Sequence, residues 1–390
     1  MKVSQVLVLG AMSAFGPLCI DLYLPAFPTL AKDLDASSVQ VQLTITTCLL
    51  GLAVGQLVAG PLSDRFGRRR PLLVGVALFV LASLLCAVAP DTTTLLLARG
   101  LQGLAGSAGI VIAWAVARDL YSGPELVRFF ALLLLVNGVT PILAPSLGAQ
   151  LLEVMDWRGL FAVLAGVGVL MLLSAVRWLP ETLPVARRRE GGVRVALGTY
   201  RRLLGEGSFV AVLLTSGLVF GALFVYIAGS SFLLQESYGL SVKQFALAFG
   251  GNAVGLIVAA QVTARIVGRV GARRLLGIGV AQAVVGGVFL LGAVCADAPV
   301  GVVLVALLVT VSSIGVVAPT AAALALADHA GVAGSASALL GVSNYVAGSV
   351  LAPLSGLGGP RTFALVLLLG PCLAAASFQR ARPRAVMLET

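Results

Sequence analysis

The chain has 390 residues, of which 59% are hydrophobic and only 11% are charged. A soluble domain carries about 25% charged residues, so this composition excludes a soluble fold and indicates lipid as the solvent. The apolar runs are continuous rather than alternating, which excludes a β-barrel and leaves a helical bundle. The net charge of +10 does not indicate nucleic-acid binding, because the basic residues lie in short loops between apolar runs.

Twelve apolar runs are long enough to cross a bilayer, which takes about 20 residues of helix. We predict transmembrane helices at 5–27, 41–61, 71–89, 94–117, 128–151 and 159–178, and then at 208–230, 245–266, 275–296, 300–320, 333–354 and 362–378. Residues 65–70 are similar to residues 269–274, which indicates a degenerate repeat of six helices. The predicted fold class is an all-α integral membrane protein with twelve transmembrane helices in two pseudo-symmetric six-helix bundles.

The longest loop sets the predicted domain limits. Residues 1–179 form the first bundle, 180–207 a cytoplasmic linker, and 208–390 the second bundle with a short cytoplasmic tail. The linker is rich in arginine, and we predict an interfacial amphipathic helix within it near 193–204. With the N-terminus inside, most of the 26 Lys and Arg residues fall in cytoplasmic segments, so both termini are expected in the cytoplasm.

Asp21 is the one acid well inside a predicted span. A buried charge in lipid is costly, so such a residue is a functional candidate by default. Removal from water favours the neutral carboxylic acid, and a group that gains and loses a proton can couple proton flow to a conformational change. The alternative is that Asp21 lies close enough to the outer interface to stay hydrated.

Residues 21–28 read Asp-Leu-Tyr-Leu-Pro-Ala-Phe-Pro. This stretch resembles the first-helix motif of the Bcr/CflA drug-resistance branch, which consists of drug:proton antiporters of the major facilitator superfamily. In related multidrug antiporters an acid at this point takes part in proton and cation recognition. Some of them carry a second acid about two turns earlier, where this chain has Ser13.

Residues 60–72 form a basic hairpin between two predicted spans. Asp64 can pair with nearby arginines, and glycines permit a tight turn and close helix packing. The stretch resembles the loop between helices two and three of the major facilitator superfamily, where it latches the two halves on the cytoplasmic side. The latch residues implied by this resemblance are Gly60, Asp64, Arg65, Gly67, Arg68 and Arg69. The alternative is a turn that is rich in arginine because it is cytoplasmic.

Arg99 is the second charge predicted inside a span. Residues 95–103 resemble the fourth-helix motif of proton-coupled members of the superfamily. Helix geometry places Arg99 at nearly the depth of Asp21, where a positive charge would favour the carboxylate and oppose the effect of desolvation. We therefore predict that Arg99 takes part in proton coupling with Asp21. The alternative is a structural arginine that binds backbone carbonyls of the first helix.

The fifth predicted helix carries two glycines and two prolines, which favour close packing and bending. The four residues are Gly138, Pro141, Pro145 and Gly148. Their pattern resembles the antiporter motif that is associated with efflux rather than uptake, although Ala144 and Ala149 replace two of its usual glycines. The alternative is a helix that is merely flexible.

A substrate pocket is expected to be apolar and aromatic with a few polar groups. Candidate lining residues are Tyr23, Gln56, Gln102, Trp114, Asn137, Phe220, Phe224, Tyr226, Asn252, Asn344 and Tyr345. Each of them could instead serve helix packing or a structural hydrogen bond. The expected partners are a small-molecule substrate, protons and the lipid bilayer, with no nucleic acid, and the protein is expected to be monomeric.

No phosphate-binding loop of the form Gly-x-x-x-x-Gly-Lys-Ser/Thr occurs in the sequence. The five cysteines have no paired spacing, and a single histidine cannot form a metal cluster. We therefore expect no catalytic residues, no metal and no cofactor, with the proton gradient as energy source. The sequence indicates a proton-coupled efflux transporter of the bacterial cytoplasmic membrane. An exporter of a narrow endogenous substrate, a proton-driven importer and a non-transporting membrane sensor remain alternatives.

Overall fold

The computed structural model describes residues 3–121, 123–188, 192–329 and 332–380, and this part of the chain is helical without a strand. The helices are α1 (Val3–Ser13), α2 (Phe15–Asp21), α3 (Phe27–Asp33), α4 (Ser38–Phe66), α5 (Arg69–Ala87), α6 (Thr92–Leu120), α7 (Gly123–Leu151), α8 (Trp157–Trp178), α9 (Gly192–Leu204), α10 (Gly207–Ser231), α11 (Val242–Val270), α12 (Ala272–Cys295), α13 (Val300–Ala327), α14 (Ala333–Leu351) and α15 (Pro360–Arg380). A π-helical turn at Phe232–Ser237 extends α10.

Ten helices in the described ranges are long and apolar enough to cross a membrane. They are α4, α5, α6, α8 and α10 to α15, and each coincides with a predicted span. The remaining two predicted spans, 5–27 and 128–151, correspond to α1–α2 and to α7. The protein is therefore a multi-pass helical membrane protein, while the total of twelve spans remains a prediction.

The helices extend beyond several predicted spans because polar caps continue them past the apolar run. Ser37 and Gln40 form a capping box at the start of α4, and Ser241 and Gln244 form another at α11. The Asp91 carboxylate caps α6 by accepting from the N–H of Thr94 at 2.8 Å. Such caps satisfy N–H groups that the first helical turn leaves without partners.

The predicted span 5–27 is wrong as one continuous helix. The helix is interrupted at Ala14 and ends at Asp21, and a 3₁₀ turn at Leu24–Ala26 leads into α3. Pro17 explains the first interruption, because it has no N–H to donate to the carbonyl of Ser13 and its ring crowds that carbonyl. Pro25 lies inside the 3₁₀ turn and Pro28 in the first turn of α3.

Helix packing in the first part of the chain recurs in the second. The pairs α4–α6, α5–α6 and α5–α8 pack closely, as do the corresponding pairs α11–α13, α12–α13 and α12–α15. The sequence repeat is thus accompanied by a repeat in packing. The two parts meet along α4–α14 and α7–α11. The domain limits at 179 and 208 remain a prediction.

Helix α9 confirms the predicted amphipathic helix in the linker. It packs against α4, α10 and α14. Tyr200 and Leu203 are buried, whereas Leu197, Arg201 and Leu204 are exposed. Exposed leucine and arginine side chains on one short helix are typical of a helix at a membrane surface.

Candidate functional site

Asp21 is the last residue of α2, and its side chain is buried, with only 3% of the residue exposed. It takes part in none of the ion pairs found among the described residues. The 3₁₀ turn that follows it packs against α10 and α11. Asp21 therefore lies where the first helix meets the second half of the chain.

Arg99 is fully buried in α6. Its hydrogen-bond acceptors include Cys19 and Tyr23, which precede and follow Asp21 in the sequence. It donates to the carbonyl of Cys19 at 2.9 Å, to the hydroxyl of Tyr23 at 3.2 Å, and to the side chain of Gln102. Its guanidinium also lies 4.5 Å from the ring centroid of Tyr23. These contacts distribute the charge over four neutral groups inside the first half.

The two buried charges thus face different surroundings. Cys19 and Tyr23 are four residues apart and lie along the side of the first segment that contacts α6, whereas Asp21 lies between them in sequence. Arg99 has the contacts expected of a structural arginine, including the backbone carbonyl of the first helix. These contacts do not require that Arg99 takes part in proton coupling, and that role remains a prediction.

A tyrosine and an asparagine of the second half form a polar pair on the helices that the turn after Asp21 contacts. The hydroxyl of Tyr226 accepts a hydrogen bond from the Asn252 amide at 2.9 Å, and its ring stacks on Phe249 at 5.1 Å. The 3₁₀ turn that follows Asp21 packs against α10 and α11, which carry this pair.

The other substrate-pocket candidates fall into separate groups. Tyr23 and Gln102 belong to the Arg99 cluster, in which Gln102 donates to Ser83 at 2.7 Å. Gln56 lies at Gly341 on the contact between α4 and α14, and the amide of Asn137 donates to Ser13 at 3.1 Å. Asn344 accepts from Ser216 at 3.0 Å, and Tyr345 packs on Phe224. Trp114 and Phe220 are half-buried against the core.

Helix α7 is continuous through Pro141 and Pro145. A Cβ on Gly148 would collide with the carbonyl of Leu22, and one on Gly138 would lie 3.5 Å from Ile257. The glycines therefore bring α7 close to the end of the first span and to α11. Their role in setting the direction of transport remains a prediction.

Arg68 is the centre of a polar cluster at the opposite end of α4 from Ser38. It donates to Asp64 at 2.5 Å, to Asp119 at 2.8 Å and to Ser63 at 2.7 Å. The backbone N–H of Arg68 donates to Glu181 at 2.8 Å. This cluster joins the ends of α4, α5, α6 and α8, all within the first half.

The remaining predicted latch residues surround this cluster. Gly67 has φ +88°, and a Cβ there would collide with Glu181. Arg69 donates to the carbonyl of Val176 at 2.9 Å, and Arg65 lies over the ring of Phe66. A Cβ added to Gly60 would lie 3.6 Å from the side chain of Val111 in α6.

Sequence reasoning did not single out Ser63, Asp119 or Glu181 as partners of Arg68. Asp119 is the second residue after the fourth predicted span, 94–117, and an acid at a helix end next to the arginine-rich turn 65–70 was a signal for the ion pair with Arg68. Burial raises the pKa of Glu181, but three backbone hydrogen bonds and the charge of Arg188 outweigh it and lower that pKa below its ordinary value of 4.5. Glu181 is therefore an anion that ties the chain after α8 to the turn at Gly67.

Polar contacts join the two halves at the Ser38 end of the molecule. Ser355 donates to Gln42 at 3.2 Å, and Ser231 donates to the carbonyl of Leu24 at 2.8 Å. Lys243 pairs with Glu153 at 2.5 Å. These contacts link the two halves at this end.

The family model of the Major Facilitator Superfamily matches residues 9–353, which is most of the chain. The chain belongs to the Major Facilitator Superfamily.

Two superfamily relatives match over about nine tenths of the chain, and a third matches over about two thirds. An uncharacterized MFS-type transporter of Bacillus subtilis, YdgK, is 39% identical over 91% of this chain and 89% of its own length. A bicyclomycin resistance protein homolog of Haemophilus influenzae is 30% identical over 90% of this chain and 88% of its own length. Multidrug resistance protein D of Escherichia coli is 33% identical over 64% of this chain and 62% of its own length. The resemblance to the Bcr/CflA branch is confirmed by the last two relatives.

Solved superfamily structures share the fold. A D-xylose–proton symporter superposes with a TM-score of 0.76 at 16% identity and covers 95% of this chain and 97% of the symporter. The nucleoside transporter NupG superposes with a TM-score of 0.77 at 12% identity, and the match covers 97% of this chain and 99% of NupG. At these identities the likeness establishes the fold of a transporter and not the substrate.

Proposed function

We propose that this superfamily member is a proton-coupled efflux transporter that exports drugs or other small amphipathic molecules by alternating access. It lies in the bacterial cytoplasmic membrane with both termini in the cytoplasm, and it works as a monomer of two six-helix domains without a cofactor. The observation that carries the proposal is the buried Asp21 carboxyl group, which forms none of the ion pairs found among the described residues.

The position of Asp21 supports proton binding. A carboxylate removed from water and left without a cation is costly, and protonation relieves that cost. Asp21 also ends α2, where the negative end of the helix dipole disfavours an anion. Movement of the second half away from Asp21 would admit water and favour release of the proton, which couples protonation to the change of state.

Arg99 is proposed as a positioning residue for this proton site. It donates to the backbone carbonyl of Cys19 and to the side-chain hydroxyl of Tyr23, which lie on either side of Asp21 in the sequence. These bonds would fix the segment that carries the carboxyl group. In this arrangement the arginine orients the site without neutralising it.

The contacts between the halves at the Ser38 end are compatible with alternating access. If this end faces outward, these contacts would have to break for the outer side to open, and the proposed latch at Asp64 and Arg68 would hold the cytoplasmic side in that state. Protonation of Asp21 in the outward-open state would release the drug. Loss of the proton to the cytoplasm would then allow a new drug to bind.

The substrate class rests on the named relatives. Proteins called a bicyclomycin resistance protein homolog and multidrug resistance protein D align with this chain. Their names indicate resistance to bicyclomycin and to several drugs. We therefore propose antibiotics and other drugs as substrates, bound near Tyr226, Asn252 and Phe249.

The test uses inside-out vesicles with an acid interior. Candidate substrates such as bicyclomycin, chloramphenicol-like drugs, fluoroquinolones and cationic dyes are added, and substrate-dependent proton release is measured. Release is expected for the wild type and not for Asp21→Asn. The matched control is Asp297→Asn, an exposed acid with φ +49° that asparagine tolerates, and it should retain wild-type release.

Each result has a distinct meaning. If substrate-dependent proton release persists in Asp21→Asn, the protein is an antiporter but Asp21 is not its proton site. Absence of release with every compound contradicts multidrug antiport and favours a narrow substrate or a protein without transport.

A further inference from the structure

A groove of about 630 Å³ lies between α12 and α15, away from the proposed proton site. It is at the end of the molecule where α11 passes into α12, the same end as the Arg68 cluster. Its lining consists of Arg273, Arg274, Gly277, Ile278, Ala281 and Phe378. The volume is within the range of about 300–1,000 Å³ that is typical of ligand sites.

The groove has a basic end and an apolar remainder. Arg273 and Arg274 lie in the first turn of α12, and the guanidinium of Arg273 lies 5.5 Å from the ring centroid of Phe378. None of the six lining residues is acidic. The groove therefore complements a ligand with an anionic head and an apolar tail.

The depth of the lining residues matches a lipid molecule. A helix rises 1.5 Å per residue, so Gly277 and Ala281 lie roughly 5–12 Å deeper than the arginine pair. Ile278 and Ala281 are exposed on the outer surface of α12, and a helix of this composition presents that surface to lipid. The arginine pair would thus lie at the depth of the lipid headgroup, and the apolar lining at the depth of the acyl chain.

We propose that this groove binds an anionic phospholipid, with the phosphate between Arg273 and Arg274 and one acyl chain along Gly277, Ile278 and Phe378. Free phosphate would leave the apolar part of the groove unused. A second copy of the chain would bring two arginine pairs together across a symmetric contact, which is unfavourable. A lipid of the surrounding leaflet satisfies both parts of the groove.

The test is native mass spectrometry of the full chain in detergent with added phosphatidylglycerol or phosphatidylcholine. The wild type should bind phosphatidylglycerol preferentially. The double variant Arg273→Gln/Arg274→Gln should bind it about 25-fold more weakly, because each arginine near an anionic headgroup contributes a factor of about 5. The matched control, Arg265→Gln/Arg269→Gln, removes the same charge from exposed positions on α11 outside the groove and should bind like the wild type.

A second variant separates the groove from charge alone. Ala281→Phe fills the apolar part without altering an arginine, and its exposed position makes it compatible with folding. It should lower the occupancy of both lipids while leaving the melting temperature unchanged. The proposal is overturned if the wild type does not prefer phosphatidylglycerol over phosphatidylcholine. It is also overturned if the α11 control loses as much binding as the Arg273→Gln/Arg274→Gln variant, or if Ala281→Phe binds both lipids like the wild type.

Discussion

Arg99 shows how a charged side chain is kept inside an apolar bundle. Its two terminal nitrogens donate to a backbone carbonyl, an amide and a phenol, and its planar face lies over aromatic rings. Asp21, two residues from two of these partners, has no such support among the described contacts. The sequence predicts nearly the same depth for the two residues, yet the structure gives Arg99 several polar and aromatic partners and gives Asp21 no ion pair among the described residues.

Arg99→Lys is expected to destabilise the protein by about 1–3 kcal/mol, because an ammonium group cannot reach the same acceptors or stack on Tyr23. Thermal unfolding in detergent measures the effect. Arg158→Lys is the matched control, since Arg158 is half-exposed and pairs with Asp33 at the surface. That variant should change stability by less than about 1 kcal/mol. Equal losses in the two variants would contradict the structural role of Arg99.

Glu181 gives a prediction on pH. Its pKa in the folded protein is lower than the ordinary 4.5, so its contribution to stability is complete above that value. The contribution is lost as the pH falls through the lowered pKa, because protonation then removes the acceptor of Arg68 and Leu183. Wild type should exceed Glu181→Gln in melting temperature at pH 7, and the difference should shrink below pH 4.5. A constant difference down to pH 3 would contradict this linkage.

At the scale of elements, small residues set how closely the helices approach. A Cβ on Gly103 of α6 would collide with the carbonyl of Cys48 in α4, and one on Gly51 with the carbonyl of Gly100. In lipid there is no hydrophobic drive between helices, so such close contacts supply much of the association. The α4–α6 pair depends on these positions, and with it the placement of Arg99.

Gly103→Ala is therefore expected to cost about 1–3 kcal/mol, since the helices must separate to fit one methyl group. Gly166→Ala is the matched control, because an added Cβ there has no neighbour within 4 Å. Alanine at that open helical position should be neutral or stabilising by up to about 1 kcal/mol. The measurement is thermal or denaturant unfolding in detergent, and a stable Gly103→Ala variant would show that the contact can relax.

At the scale of the molecule, the contact between Gln42 and Ser355 and the cluster around Arg68 lie at opposite ends. In the proposed alternating-access cycle, contacts between the halves at one end must break when that end opens. The cluster around Arg68 lies within one half and would move with it as a unit. The proposed change of state would therefore take place at the interface between the halves.

The double variant Gln42→Ala/Ser355→Ala should shift the population towards the state open at this end. The expected shift is roughly 2–10-fold, from the loss of one hydrogen bond of about 0.5–1.5 kcal/mol. A thiol-reactive probe measures it at a cysteine introduced at Ser231, which is buried in this structure, in a background in which the exposed Cys295 and Cys372 are replaced by serine. Ser174→Ala, at a half-buried serine on α8 that donates to the Leu170 carbonyl of its own helix, should leave labelling unchanged. Unchanged labelling in the double variant would contradict a role of this contact in closure.

Much of the architecture was predictable from local sequence. Apolar runs of bilayer length predict spans, because lipid requires each segment to satisfy its own backbone hydrogen bonds. Ten of the predicted spans are candidate membrane helices in the described part of the chain, and the amphipathic helix near 193–204 is present. The residues 60–72 and 21–28 predicted the family, which the family model confirms.

The surroundings of each polar side chain were decided by the tertiary structure. The sequence predicted nearly the same depth for Asp21 and Arg99, but only the packing of α6 directs Arg99 to Cys19 and Tyr23 and leaves Asp21 without an ion pair among the described residues. Likewise, Asp119 and Glu181 reach Arg68 only because four helix ends converge. The sequence by itself determines which segments enter the bilayer, since that depends on the transfer of each segment from water to lipid. Which charges are paired and which remain available depends on contacts between segments distant in the chain, and these exist only in the folded bundle.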